Sequence, residues 1–233
     1  DKDIAKWRLT ETEKRLIQER ITVTTDLNEA KSCHLVIEAI DEDFELKQAL
    51  LRRLDEICPP EVVIITTTAA LSITRLAAKL SRPDKLIGVN IQIPVILIPV
   101  MEVVSGLKTS DDTRRLIREF AVKLKKEVIT VNEYPGYVTT RVILPFINEA
   151  MYVVMEGVAS AEDVDKAIKL SYNFPVGPLA LADSIGLDIV LQWMENLFHE
   201  LGDLKYRPCP TLRKLVNANH LGVKTGEGFF SYE

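Results

Sequence analysis

With 233 residues, 47% of them hydrophobic and 27% charged, the chain has ordinary globular composition and enough length for a sizeable core in one or two domains. A formal net charge of −5 speaks against a non-specific nucleic-acid surface. Cys33, Cys58 and Cys209 are scattered without a CxxC, no apolar run reaches the ~18–20 residues that span a bilayer, and the charged start DKDIAKWRLTETEKRL lacks a signal peptide's apolar core. These features predict a soluble cytoplasmic protein with no structural metal site, no nucleic-acid partner and no membrane partner.

In chain order, residues 4–20 read as a helix in which Thr10 and Glu13 have capping-box spacing. ITVTT (21–25) is β-branched and strand-like, and a short helix over 28–32 follows. LVIEAI (35–40) fits a parallel strand buried on both faces. DEDFELKQALLRRLDEIC (41–58) predicts a helix with Phe44, Leu46, Leu50, Leu51, Leu54 and Ile57 as its buried stripe. VVIITT (62–67) is a second buried strand, and Ser72 caps a helix over 72–80. The most apolar stretch, Lys85–Val104, is broken by Pro94 and Pro99 into two extended pieces. A helix from about Asp111 to Lys125 and a strand over 128–131 complete this half. Strand and helix alternating at these lengths predict a doubly wound, mostly parallel sheet, whose ligands bind beyond the carboxyl ends of its strands.

After NEYPG (132–136) the periodicity becomes helical, with helices over 137–157, 160–171, 178–200 and 210–219 and a closing turn at GVKTGEGFF (222–230). The reading is an α/β domain over 1–133 and an all-helical domain over 134–233. The first long helix, YVTTRVILPFINEAMYVVMEG, is apolar on more than one face, so it is central to its own domain or buried in an interface, with homodimerisation the plainer expectation.

The polar residues of Lys85–Val104 are Asn90, Gln92 and Glu102, and buried polar groups are either satisfied locally or used in a site. Glu42 and Glu102 are the carboxylates best placed for chemistry. Glu42 reads equally as a solvated first-turn acid and Glu102 as an outward-facing residue on an edge strand, while Asn90 and Gln92 have loop backbone as alternative partners. None of His34, His199 and His220 lies at a strand's carboxyl end, and no Ser/His/Asp arrangement, GxGxxG or GxxxxGK[ST] is present. The residues alone reach an α/β domain plus a helical domain with a ligand site at the strand ends.

Six motifs carry a resemblance that spans nearly the whole chain: ITVTTDL (21–27), LVIEAIDEDFELK (35–47), YPGYVTTRVILPFINEAM (134–151), EGVASAEDVDKAIKL (156–170), FPVGPLALADSIGLD (174–188) and LGVKTGEGFFSY (221–232). In these the chain resembles the L-3-hydroxyacyl-CoA dehydrogenase family, and within it the bacterial 3-hydroxybutyryl-CoA dehydrogenase branch. The resemblance implies a Rossmann-like NAD domain and a helical C-terminal domain used for dimerisation, in an oxidoreductase of fatty-acid or butanoate metabolism. It implies oxidation of an acyl-CoA 3-hydroxyl, with a histidine as base, a glutamate orienting it, and a serine and an asparagine holding substrate and cofactor.

Against that pattern, HFFNP reads Asn90-Ile91-Gln92-Ile93-Pro94, so Asn90 takes the histidine's position, while Glu102 matches the partner glutamate. NTSSL reads Thr67-Thr68-Ala69-Ala70-Leu71, placing Ala69 at the serine, and PGFxxNR reads Pro135 to Arg141, placing Thr140 at the asparagine. Ala39, Glu42 and Lys47 match the cofactor side of the site. The family's first β-α-β unit, with its glycine fingerprint, corresponds to sequence ahead of Asp1 and is expected to be missing from this chain. An amide takes up no proton near neutral pH, so Asn90 is no general base, and that loss alone costs ~10²–10⁴ in rate. Three functions follow as expectations: a dehydrogenase with an altered site, a non-catalytic subunit that dimerises or pairs with an active homologue and still binds acyl-CoA or nucleotide, and a different acyl-CoA reaction with Glu102 as acid or base.

Overall fold

The computed structural model describes residues 10–232. The expected first helix is present as α1, Glu11–Gln18, opened by a Thr10–Glu13 capping box; the expectation for 4–9 lies outside the described residues. ITVTT forms no strand: residues 21–25 are exposed and pair with no strand among the described residues. β-branched side chains favour an extended chain, but a strand exists only when a neighbour takes up its backbone groups.

Five strands make one sheet in the order β1 (Leu35–Glu38), β2 (Val63–Thr67), β3 (Leu86–Asn90), β4 (Val100–Ser105), β5 (Glu127–Asn132). β1, β2 and β3 run parallel, β4 runs antiparallel to β3, and β5 runs parallel to β4. The reversal has a simple cause. The short link between Asn90 and Val100 cannot hold the crossover of a dozen or more residues that a parallel return needs. β1 departs from the expected strand buried on both faces, because it lies at the end of the sheet and Ile37 is half exposed.

The helix α2 (Phe44–Ile57) and the short α3 (Ile73–Ala77) cover one face of the sheet, packing Leu51, Leu54, Ile73 and Leu76 against Ile64, Leu86 and Val104. α4 (Asp111–Lys123) covers the other, with Ile117 and Ala121 against Ile65, Ile87 and Val103. α2 reverses one expectation: Leu46 faces solvent, while Lys47 and Gln48 are inside with Leu51 and Leu54.

A helical half follows, with its own core of Leu144, Ile147, Met151, Leu179, Val190, Met194 and Leu197. Its helices are α5 (Thr139–Met155), α6 (Ala161–Tyr172), α7 (Pro178–Ile185), α8 (Leu187–Leu201) and α9 (Pro210–Asn217). The single helix expected over 178–200 is two, because Gly186 at φ 103° ends α7 in a conformation that a side chain would resist. α5 is central to this core through Leu144, Ile147 and Met151, yet leaves Val142 outside. The closing turn docks on Asp183, which is 1% exposed and accepts from the Phe229 and Phe230 amides and the Tyr232 hydroxyl. No helix among the described residues is long and apolar enough to cross a membrane.

Candidate active-site cleft

The carboxyl ends of β1, β2 and β3 open into a cleft of about 640 Å³ between the sheet and α8. Ile40 to Glu42, Thr67 to Ala69 and Val89 to Ile91 line the sheet side; Asp188, Ile189, Gln192, Trp193 and Lys224 line the helical side. Gln192 bridges the two, its amide donating to the Glu42 carbonyl at 3.1 Å. None of the three histidines is among these residues.

The loop after β1 is built over a buried ion pair. Lys47 is fully buried, and its ammonium donates to Glu38 Oε1 at 2.7 Å, the Ile40 carbonyl at 3.0 Å and the Thr67 carbonyl at 2.8 Å. An ammonium has three donors, so Lys47 has none left for a ligand. Through these three bonds Lys47 joins the two loops that follow β1 and β2 at the cleft. Glu38 is satisfied in turn, its Oε2 accepting from Thr66 Oγ1 at 2.6 Å and its Oε1 from the Ile40 amide at 2.8 Å.

Glu42 is no solvated first-turn acid. It lies before the helix, which is capped by Asp43, and reaches the β2 loop. Its Oε1 accepts from Thr68 Oγ1 and from the amides of Ala69 at 2.9 Å and Ala70 at 3.1 Å. Ala69 therefore sits at the cleft wall with its backbone held and no hydroxyl to offer, while Ala39 lies exposed at the end of β1. Tyr137 ties the same loop from below through its hydroxyl on the Leu71 carbonyl at 2.8 Å. Burial, with the Glu42 carboxylate nearby, holds that phenol well above its usual range.

Asn90 and Glu102 face one another across the antiparallel β3–β4 pair. Glu102 is not on an edge strand: β4 lies between β3 and β5, and the residue is 2% exposed. Asn90 Nδ2 donates to Glu102 Oε2 at 2.7 Å. Thr139 adds two more donors, its amide to Glu102 Oε1 at 2.8 Å and its hydroxyl to Oε2 at 3.1 Å. Thr139 opens α5, where Val138 supplies no side-chain cap, so Glu102 caps the first helix of the helical half from the sheet. Thr140, at the expected asparagine position, is 1% exposed with a hydroxyl that has no partner among the described residues, and it is not among the cleft-lining residues. The hydroxyl that joins Asn90 and Glu102 belongs to Thr139.

Sequence reasoning missed Thr139, Gln192, Trp193 and the Asp188–Lys224 ion pair on the helical wall, whose shorter contacts are 2.5 and 2.6 Å. Asp188 and Lys224 lay within two of the motifs quoted for the resemblance, GLD and GVKTG, which was a usable signal. Thr139 had none, because in PGFxxNR its position is free.

This arrangement defines a dinucleotide-type sheet closed by a helical domain, and the family comparisons agree with it. Residues 1–134 match the family model for the NAD binding domain of 3-hydroxyacyl-CoA dehydrogenase, and residues 136–232 match that for its C-terminal domain. The chain belongs to the 3-hydroxyacyl-CoA dehydrogenase family, whose cofactor is NAD.

Among its relatives, the chain is 47% identical to the probable 3-hydroxybutyryl-CoA dehydrogenase of Bacillus subtilis, over 100% of this chain and 81% of that protein. It is 34% identical to the human mitochondrial hydroxyacyl-coenzyme A dehydrogenase, over 91% of this chain and 69% of that protein. Of solved structures, the (S)-3-hydroxybutyryl-CoA dehydrogenase of Ralstonia eutropha superposes with a TM-score of 0.91 at 43% identity, covering 99% of this chain and 81% of that one. The chain's own residues fit a polar cofactor: the Glu42-held loop and the Lys47-held carbonyls give the cleft a fixed polar rim at Ile40, Asp41, Thr67 and Thr68.

Proposed function

We propose that this chain keeps the family's binding cleft for a 3-hydroxyacyl-CoA and NAD but does not perform the oxidation, acting as a non-catalytic subunit that dimerises or pairs with an active homologue. The observation that carries the reading is Asn90: its amide nitrogen is spent on Glu102 at 2.7 Å, in the family's position for a base, and no histidine lines the cleft. NAD, when bound, supplies the hydride acceptor. The chain's part in that chemistry would be to take the hydroxyl proton, and neither an amide oxygen nor the Ala69 methyl does so near neutral pH. What remains is positioning: Glu42 holds the Thr68–Ala70 turn, Lys47 holds the Ile40 and Thr67 carbonyls, and Gln192 joins the cleft's two walls.

A division into an α/β domain over 1–133 and a helical domain over 134–233 belongs to this reading, as does a cytoplasmic location, which suits three free thiols. Pairing through the helical domain is favoured by Val142, Leu170 and Tyr172, large side chains exposed by 68%, 75% and 69%. The test is the natural full-length protein with 3-hydroxybutyryl-CoA and NAD. Both ligands bind by calorimetry and NADH does not accumulate. Turnover in the ordinary range of about 1–10³ s⁻¹ would refute the non-catalytic reading.

A further inference from the structure

Asn90 has a fixed orientation, and that orientation has a chemical consequence. A carboxylate only accepts, so Glu102 decides which way the amide points: Nδ2 toward it at 2.7 Å, with Thr139 Oγ1 a second acceptor at 3.2 Å. Thr139 in turn points its own hydroxyl at Glu102, and the residue is anchored there by its amide. Asn90 lines the cleft; Glu102 and Thr139 do not. With Nδ2 turned toward Glu102, Oδ1 takes no hydrogen bond from the described residues and is the polar atom that Asn90 offers to a ligand. Turning the amide over would set its carbonyl oxygen against the buried carboxylate, so the acceptor stays outward.

We infer that the Asn90–Glu102–Thr139 cluster makes the cleft selective for the alcohol over the ketone form of its ligand, so that the chain binds 3-hydroxyacyl thioesters in preference to 3-oxoacyl thioesters. A 3-hydroxyl donates a hydrogen bond to Oδ1. A 3-ketone has no donor, and it places one oxygen lone pair against another. A site built to hydrogen-bond one ligand group rejects an analogue that leaves its polar atom unpaired. An imidazole in the same place, being an acceptor when neutral and a donor when protonated, would serve both forms; the locked amide serves one. The inference rests on the proposed reading of the cleft as an acyl-CoA site.

The experiment is calorimetric titration of the natural full-length protein, without nucleotide so that nothing turns over, using 3-hydroxybutyryl-CoA, acetoacetyl-CoA and butyryl-CoA. The alcohol binds about tenfold tighter than the ketone, the factor that one hydrogen bond of about 1.4 kcal/mol carries. Asn90→Leu, of similar volume but with no acceptor, binds alcohol and ketone equally. Because a substitution at this half-capped junction also risks the fold, butyryl-CoA gives a second reading on the unaltered protein: lacking the hydroxyl, it binds more weakly than the alcohol. Equal affinity for alcohol and ketone, tighter binding of the ketone, butyryl-CoA matching the alcohol, or a preference that survives Asn90→Leu each overturns the selectivity while leaving the cleft's assignment standing. Failure of all three thioesters to bind overturns both.

Discussion

Replacing Asn90 by histidine tests whether the cleft lacks only its base. The geometry favours the exchange. Nδ2 of Asn90 lies 2.7 Å from Glu102 Oε2, so an imidazole N–H in that direction keeps the bond, and the second ring nitrogen is carried toward the cleft that Asn90 lines. The extra ring atoms enter open space of about 640 Å³ rather than the core. A correctly placed general base is worth ~10²–10⁴ in rate, or about 3–5 kcal/mol of barrier. Ala69→Ser and Thr140→Asn complete the family's set, the first at the cleft wall and the second buried behind it at the start of α5. The assay is NADH formation from 3-hydroxybutyryl-CoA in the full-length protein, with ligand affinities measured in parallel. The base must be neutral to accept the proton, so the recovered rate falls as pH drops through the imidazole range near ~6.5 and is full above it. A triple variant that binds both ligands and still shows no turnover would refute the idea that the missing imidazole limits this site.

Two further predictions concern what holds the site up. Lys47→Met leaves Glu38 buried without its cation and frees the Ile40 and Thr67 carbonyls, so it costs about 3–5 kcal/mol in chemical denaturation and weakens nucleotide binding with it. Stability falls as pH rises beyond ~10, the usual phenol value, because Tyr137 and Tyr232 both have folded-state values above it and the folded form disfavours their ionisation. For Tyr232 the causes are burial and then its bond to Asp183; Tyr232→Phe therefore removes part of that alkaline loss in a Tm-against-pH series, and an unchanged profile would refute the assignment.

How far the sequence carried this structure depended on how local each cause was. The capping box at Thr10, the cap at Ser72, the helix start at Asp111 and the apolar runs of β2 and β3 are local, and they appear as the chain reads. ITVTT failed because strand formation depends on a neighbour. Leu46 and Lys47 exchanged places because a buried lysine is decided by Glu38 and two loop carbonyls rather than by hydropathy. The site followed the same rule. Asn90 and Glu102 were legible as misplaced polar residues, but their pairing required the β3 to β4 reversal. Thr139 was invisible, because nothing in TTR says which hydroxyl turns toward the sheet.

Glu102 is where these lines meet. Beside an amide that cannot act as a base, its presence needs another cause, and the cap on Thr139 supplies one: the carboxylate joins β4 to the first helix of the helical half. Glu102→Gln keeps the shape but exchanges one acceptor for an NH₂ donor, leaving a donor from Asn90 or Thr139 without its partner. An unpaired buried donor costs about 1–3 kcal/mol, and for a domain of this size each kcal/mol lowers Tm by about 2–4 °C. The loss should register chiefly as separation of the helical half, read by amide exchange along α5, with β1 to β3 retaining their protection. If the variant unfolds uniformly, or loses nothing, Glu102 is not what holds α5 to the sheet, and its retention beside Asn90 loses its structural explanation.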